Sequence, residues 1–208
     1  MLVTDWLTGS DIKLHPKTLQ YHVHIYDHHV NSVIHSLDLP NYELVTSMEI
    51  MPLEISEVIH KHKTFVAVGT ISQRGENYAA RGALYILDVI QVVPEPGRPE
   101  TGKKLHVHGR EDTKGGITAL MGIAGLVGTA QGIFVLSKFE DAVDTDVVPG
   151  QKMLIRGLRE DGSCLPVAFL DAQCYMASLK TLGDTKLWLA ADAWKGLWFG
   201  GFGVSPQR

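Results

Sequence analysis

The chain has 208 residues, 45% of them hydrophobic and 20% charged, with a net charge of −4. That length suits one domain or two small ones, and the composition is that of a globular protein rather than a disordered tail. The mildly acidic balance excludes a general basic field toward nucleic acid or anionic membranes, so any RNA contact has to be local or made through a partner.

The amino terminus, MLVTDWLTGSD, has neither the basic region nor the apolar core of a secretory signal. Residues 1–41 are a poorly defined segment in which YHVHIY alternates like a strand. Ten histidines, six of them before residue 36, raise a metal reading. His22 and His24, His60 and His62, and His106 and His108 would each place two imidazoles on one strand face. No Asp or Glu completes a site at a convincing spacing, so they read as exposed strand and loop histidines, and no metal or cofactor is expected. Cys164 and Cys174 form neither a disulfide framework nor a zinc motif, and fit a reduced intracellular setting.

From Tyr42 the pattern becomes regular, and residues 42–208 read as one unit of short strands. LVTSMEIMPL, TFVAVGTI, ALYILDVIQVV and LHVHG are strands separated by polar turns. Ile117 to Ser137 is uncharged over a length that could cross a bilayer, but four glycines weaken it. It divides at Ala124-Gly125 into the short strands ITALMGI and GLVGTA, and no membrane span is expected. KMLIRGL, CLPVAFL, QCYMASLK, KLWLAADA and GLWFGGF follow. No segment sustains a helical period, so the fold class is all-β, built of short antiparallel strands.

A repeat runs through these strands. Val66–Thr70, Leu126–Ala130 and Leu189–Ala193 are small-residue strands, each leading to a bulkier one at Leu84–Leu87, Met153–Arg156 and Leu197–Gly200. Small inner strands with larger outer partners are what β-propeller blades look like, which predicts an incomplete propeller of about three blades over residues 42–208, with residues 1–41 at most a partial blade. The start-to-start spacings of 60 and 63 residues exceed a blade of 40–50. Long polar loops explain the first excess. Residues 133–150 explain the second, and without these eighteen residues the period falls to 45. They read as an insertion. Glycines at both junctions and a whole number of codons fit translation of an unspliced intron, whereas a native long loop is the alternative.

Catalytic motifs are not found: there is no G-x-S-x-G elbow, Walker loop, H-E-x-x-H or Cys-x-x-Cys. The loop Arg74-Gly75-Glu76 with Arg81 is the candidate partner-binding element, against the plainer reading of a solvated loop. Trp188, Trp194, Trp198, Phe199 and Phe202 read as blade packing rather than a base-stacking platform.

VAVGT, RG-x-LYILDVIQVVPEPGRP, KGGITAL, DAQCYMASLK and LAADAWKG together resemble the carboxy-terminal propeller of the large subunit of cleavage and polyadenylation specificity factor. That family shares a superfamily with the large subunit of damaged-DNA-binding protein and a splicing factor 3b subunit. The run Asp88 to Gly97 favours the polyadenylation branch, and GQKMLIRGLREDGS has a fungal look. The resemblance covers about Asp11 to the end, only part of one of the family's three propellers, and the family reads a continuous Gly-Gln-Lys where residues 133–150 intervene. It implies a non-catalytic nuclear scaffold of pre-mRNA 3′-end processing, with other subunits of the factor as partners and RNA held mostly indirectly. A propeller module that binds nucleic acid directly, through Arg74, Arg81, Lys103 and Lys104, is the competing expectation. An open arc leaves edge strands unpaired, so the isolated chain is expected to aggregate or stay partly unfolded.

Overall fold

The computed structural model describes residues 19–56, 61–72, 80–94, 96–97, 102–132, 151–172, 174–194 and 196–203. Every regular element among them is a β-strand, and every pairing is antiparallel. The first sheet is the hairpin β1 (His22–Asp27) and β2 (Ser32–Asp38). The second runs β3 (Glu43–Ser56), β4 (Lys61–Ser72), β5 (Gly82–Gln91) and β6 (Lys103–Thr113). The third runs β7 (Gly116–Ile123), β8 (Leu126–Gly132), β9 (Gln151–Leu158) and β10 (Cys164–Ala172). The fourth has β11 (Met176–Thr181), β12 (Leu187–Asp192) and β13 (Gly196–Gly201).

The middle strands are apolar on both faces because both faces are covered. On β5, Leu84 and Ile86 point one way, and Ala83, Tyr85 and Leu87 the other. Three cores follow. Val23, Leu39, Val68, Tyr85 and Leu105 join the first sheet to the second. Phe65, Leu84 and Ile86 meet Ile117, Val127 and Leu158 between the second and third. Met121, Met153 and Ile155 meet Met176, Leu179 and Trp188 between the third and fourth. Each fully buried Leu, Ile or Phe contributes roughly 2–3 kcal/mol relative to an exposed one.

The three small-residue strands fall on β4, β8 and β12, and their bulkier partners on β5, β9 and β13, so the repeat marks equivalent positions. Its radial order differs from the expectation. The small strands stand second in their sheets, and β3, β7 and β11 stand first. These first strands converge: Thr46 on β3 donates to the Ile117 carbonyl on β7, Thr118 on β7 donates to the Met176 carbonyl on β11 at 2.7 Å, and Lys180 on β11 reaches Glu49 on β3 at 2.7 Å. Second strands read as innermost because small side chains are also needed where a strand is packed between neighbouring sheets on both faces.

The uncharged run from Ile117 folds as β7 and β8, hinged where the sequence suggested. Ala124 and Gly125 have φ of 48° and 78°, the two left-handed positions of a tight hairpin turn. Residues 133–150 lie outside the described residues. The strands on either side of them, β8 and β9, are paired up to Gln131 and Lys152.

Candidate interaction site

Arg74 and Glu76 of the candidate loop lie outside the described residues. Arg81 stands at the loop's base, where it exchanges backbone hydrogen bonds of 2.6 and 3.1 Å with Ser72. That bridge closes the loop on the β4–β5 edge and leaves the Arg81 side chain exposed, with no ion pair among the described residues. Lys103 and Lys104 pair with Gln91 and Ile90 at the other end of β5. The length of that strand, at about 3.3 Å per residue, puts them about 30 Å from Arg81. Arg81 therefore does not share one surface with Lys103 and Lys104.

Of the paired histidines, His60 lies outside the described residues, and the described ones occur on several strands. His22 stacks on His24 at 5.8 Å between ring centroids and contacts Asp38 at 2.7 Å. His108 lies against Phe65, and His35 is pulled below its ordinary pKa by burial and then by the charge of Lys104. Among the described residues, no group of three or more His, Cys, Asp or Glu could hold a metal ion.

The interior polar groups hold sheets together. In the second sheet one residue from each strand joins a row across it: Thr70 donates to Glu43 at 2.6 Å, and Arg110 Nη2 lies 3.9 Å from the second Glu43 oxygen while its Nε donates to the Tyr85 hydroxyl at 3.0 Å. Burial pushes the Tyr85 phenol up, so it stays a neutral acceptor for that guanidinium. Arg156, buried on β9, donates to Thr129 at 2.7 Å in its own sheet and to Glu111 on β6 at 3.2 Å. Gln131, with its amide oxygen turned to the guanidinium, accepts from Arg156 at 2.8 Å. Beside this pair the Cys164 thiol is pushed up to about 11, by burial first and then by the Glu111 charge, so it remains protonated at neutral pH.

Threonines 46 and 118 escaped the sequence reading. Each sits at a bulge in the first strand of its sheet, where the register slips between Val45 and Ser47 and between Ile117 and Ala119. Each hydroxyl also reaches the second strand of its own sheet, Thr46 to the Gly69 carbonyl and Thr118 to the Ala130 carbonyl. The fourth sheet slips at the same place, and Ala177 stands there without a hydroxyl. Aligning Val-Thr-Ser, Ile-Thr-Ala and Met-Ala-Ser would have revealed this second repeat.

Several large apolar side chains stand exposed at the surface. Trp188 is buried and Phe202 packs on the same core, as expected of blade packing, but Trp194 and Phe199 are exposed. Between β9–β10 of the third sheet and β12–β13 of the fourth lies a cleft of about 700 Å³ lined by Met153, Ile155, Phe169, Trp188, Trp198 and Phe202. Gly200 lets the strand sit against its floor, since a Cβ there would lie 2.3 Å from the Trp188 ring.

Residues 20–137 match the family model described as the CPSF A subunit region, which is more than half of the chain. Protein CFT1 of Coccidioides immitis is 42% identical over 177 residues, 85% of this chain and 12% of that protein. Protein cft1 of Aspergillus niger is 42% identical over 208 residues, covering 96% of this chain and 13% of its own length. Protein cft1 of Schizosaccharomyces pombe is 33% identical over 177 residues, 85% of this chain and 11% of that protein. The chain thus spans about one-eighth of the length of these curated relatives.

Proposed function

The chain belongs to the CPSF A subunit region family, and on that footing we propose that it is a non-catalytic scaffold segment of the nuclear machinery that cleaves and polyadenylates pre-mRNA 3′ ends. The family match together with 42% identity over most of the chain is the observation on which the reading rests. The molecule's chemistry supports it: interior charges hold sheets together, the Cys164 thiol is kept protonated, and large apolar side chains such as Trp194 and Phe199 stand exposed. Its partners are other subunits of the factor, with the loop of Arg74, Glu76 and Arg81 as a contact and RNA held mostly through those partners.

Depleting the full-length parent is expected to impair cleavage and polyadenylation across many transcripts. Normal 3′ ends with failed splicing or DNA repair would refute the assignment. Arg81→Glu in that parent should reduce the recovery of associated subunits without lowering the parent's own abundance. Direct RNA binding is the competing reading, and the separation of Arg81 from Lys103 and Lys104 weighs against it. It would instead require the isolated chain to bind RNA with an affinity that falls steeply with salt.

A further inference from the structure

We infer that the end of the second sheet where β4 and β6 begin, with Lys61 and Lys63 on one strand and Lys104 on the other, docks an acidic, extended segment of a protein partner. This names the chemistry of one contact of the proposed scaffold and rests on that reading. The site arises from strand length. β4, β5 and β6 have 12, 10 and 11 residues, whereas β7, β8 and β9 have 8, 7 and 8, so the third sheet covers only part of its neighbour.

Two turns of the third sheet mark where that cover stops. Gly125 in the β7–β8 turn accepts from the Glu54 amide at 2.8 Å and lies against His62. Gly162 in the β9–β10 turn meets β6 so closely that a Cβ on Gly109 would lie 2.1 Å from its carbonyl oxygen. Beyond these contacts Lys61, Lys104 and His106 are exposed, and the Lys63 side chain is 45% exposed. Both neighbours of the second sheet are present, so this strip is left open by joints the molecule has already made.

Alternation gathers these side chains on one side. Leu87 and Leu105 enter the core shared with the first sheet, so Asp88, Lys104 and His106 point the other way, and the ion pair of Lys63 with Asp88 brings β4 to the same group. Lys63 and Lys104 stand two strand spacings apart, about 10 Å, which is about three residues of an extended peptide. Asp88 is nearly buried and held by Lys63, and among the described residues no ion pair holds Lys61 or Lys104. The Lys104 charge is felt at His35, which burial first and then that charge push below its ordinary pKa. Uncompensated cations on a chain of net charge −4 are a local attractor for an anionic partner. Carboxylates suit them better than RNA. Among the described residues of this strip no Phe, Tyr or Trp is exposed to stack a base, since Phe65, beneath Lys63, is 1% exposed. The net negative charge also opposes a polymer that is charged at every nucleotide.

Fluorescence anisotropy with the purified full-length parent and a fluorescein-labelled peptide of alternating glutamate and serine provides the test. The parent is expected to bind this peptide, to ignore its glutamine counterpart, and to lose affinity as salt is raised. Lys61→Glu/Lys104→Glu should weaken binding about tenfold or more. Lys152→Glu, which reverses an exposed lysine of the third sheet, should leave it unchanged. Lys61→Ala/Lys104→Ala should show a smaller loss, and it keeps the inference testable if the glutamate variant does not fold. A parent that does not bind the peptide overturns the inference, as does equal binding of the glutamine peptide, a folded double variant that binds as tightly as the native protein, or an equal loss for Lys152→Glu. Displacement by oligouridylate at a lower concentration than by unlabelled peptide also overturns it and gives the strip to RNA. These outcomes read the lysines alone, whereas depletion of the parent reads the assignment to 3′-end processing.

Discussion

Arg156 joins two sheets through one guanidinium, held by Thr129 and Gln131 on its own sheet and by Glu111 across the gap. Its removal leaves the Glu111 carboxylate partly buried without its cation, and one Glu111 oxygen already has no partner. Arg156→Ala is therefore expected to cost about 3 kcal/mol or more, read as a lower denaturant midpoint. A change under about 0.5 kcal/mol would mean the pair does not hold the joint. Cys164 gives a second test. Its folded value of about 11 lies above the ordinary 9.0, so the neutral thiol is the form that folding favours. That preference is fully present below pH 9. As pH rises from 9 toward 11 the unfolded chain ionises first, and this contribution to stability is lost. Alkylation of Cys164 at pH 8 should accordingly be much slower in the folded chain than in denaturant, and equal rates would contradict the burial argument.

Among the elements, the bulged first strands and the β8–β9 hairpin are the most informative. Thr46→Val and Thr118→Val remove a hydrogen bond between neighbouring sheets while preserving shape, at an expected cost of about 1 kcal/mol each. Two unchanged denaturation curves would show that the bulges hold the joints by packing alone. The hairpin bears on residues 133–150. Ile123 and Leu126 flank the two-residue turn, so Leu126 exchanges its backbone bonds with β7; alternation then gives Gln131 to β9, opposite Lys152. Without the eighteen residues, Gly132 and Gln151 would form a two-residue turn with glycine at its first central position, the type II′ geometry that hairpins favour. Deleting 133–150 is expected to preserve the third sheet and to raise stability, read by circular dichroism and denaturation. Loss of the β9–β10 amide protection would argue that the segment is integral to the fold. We propose that the segment is translated from an unspliced intron, with a native long loop as the alternative. A mature transcript that retains the 54 bases, over DNA without splice signals, would refute that attribution.

At the scale of the whole molecule, protection should follow coverage. The second and third sheets have a neighbour on either side, whereas the first has two strands among the described residues and β13 borders the open cleft. Amide exchange is expected to be slowest on β4, β5 and β8 and fastest on β1, β2 and β13. Uniform protection would mean that the end sheets are covered. The same uncovered ends are the physical source of the expected aggregation, because unpaired edges and apolar faces seek partners.

Much of this architecture was legible in the sequence. Strand identity, the division at Ala124-Gly125, the equivalence of β4, β8 and β12 and the family resemblance all follow from local pattern: β-branched alternation, turn residues and recurring short motifs. Which strand stands first in its sheet was decided only by the tertiary structure. A small-residue strand looks the same whether it is crowded by an axis or by two flanking sheets, so β3, β7 and β11 were passed over. The joints were hidden for a related reason. Thr46 meets Ile117 across 71 residues and Arg156 meets Glu111 across 45, and no local period relates positions that only sheet stacking brings together. The exposure of Met48, Ile50, Leu197 and Phe199 was equally unreadable, because an apolar side chain has the same letter whether or not a neighbouring sheet covers it.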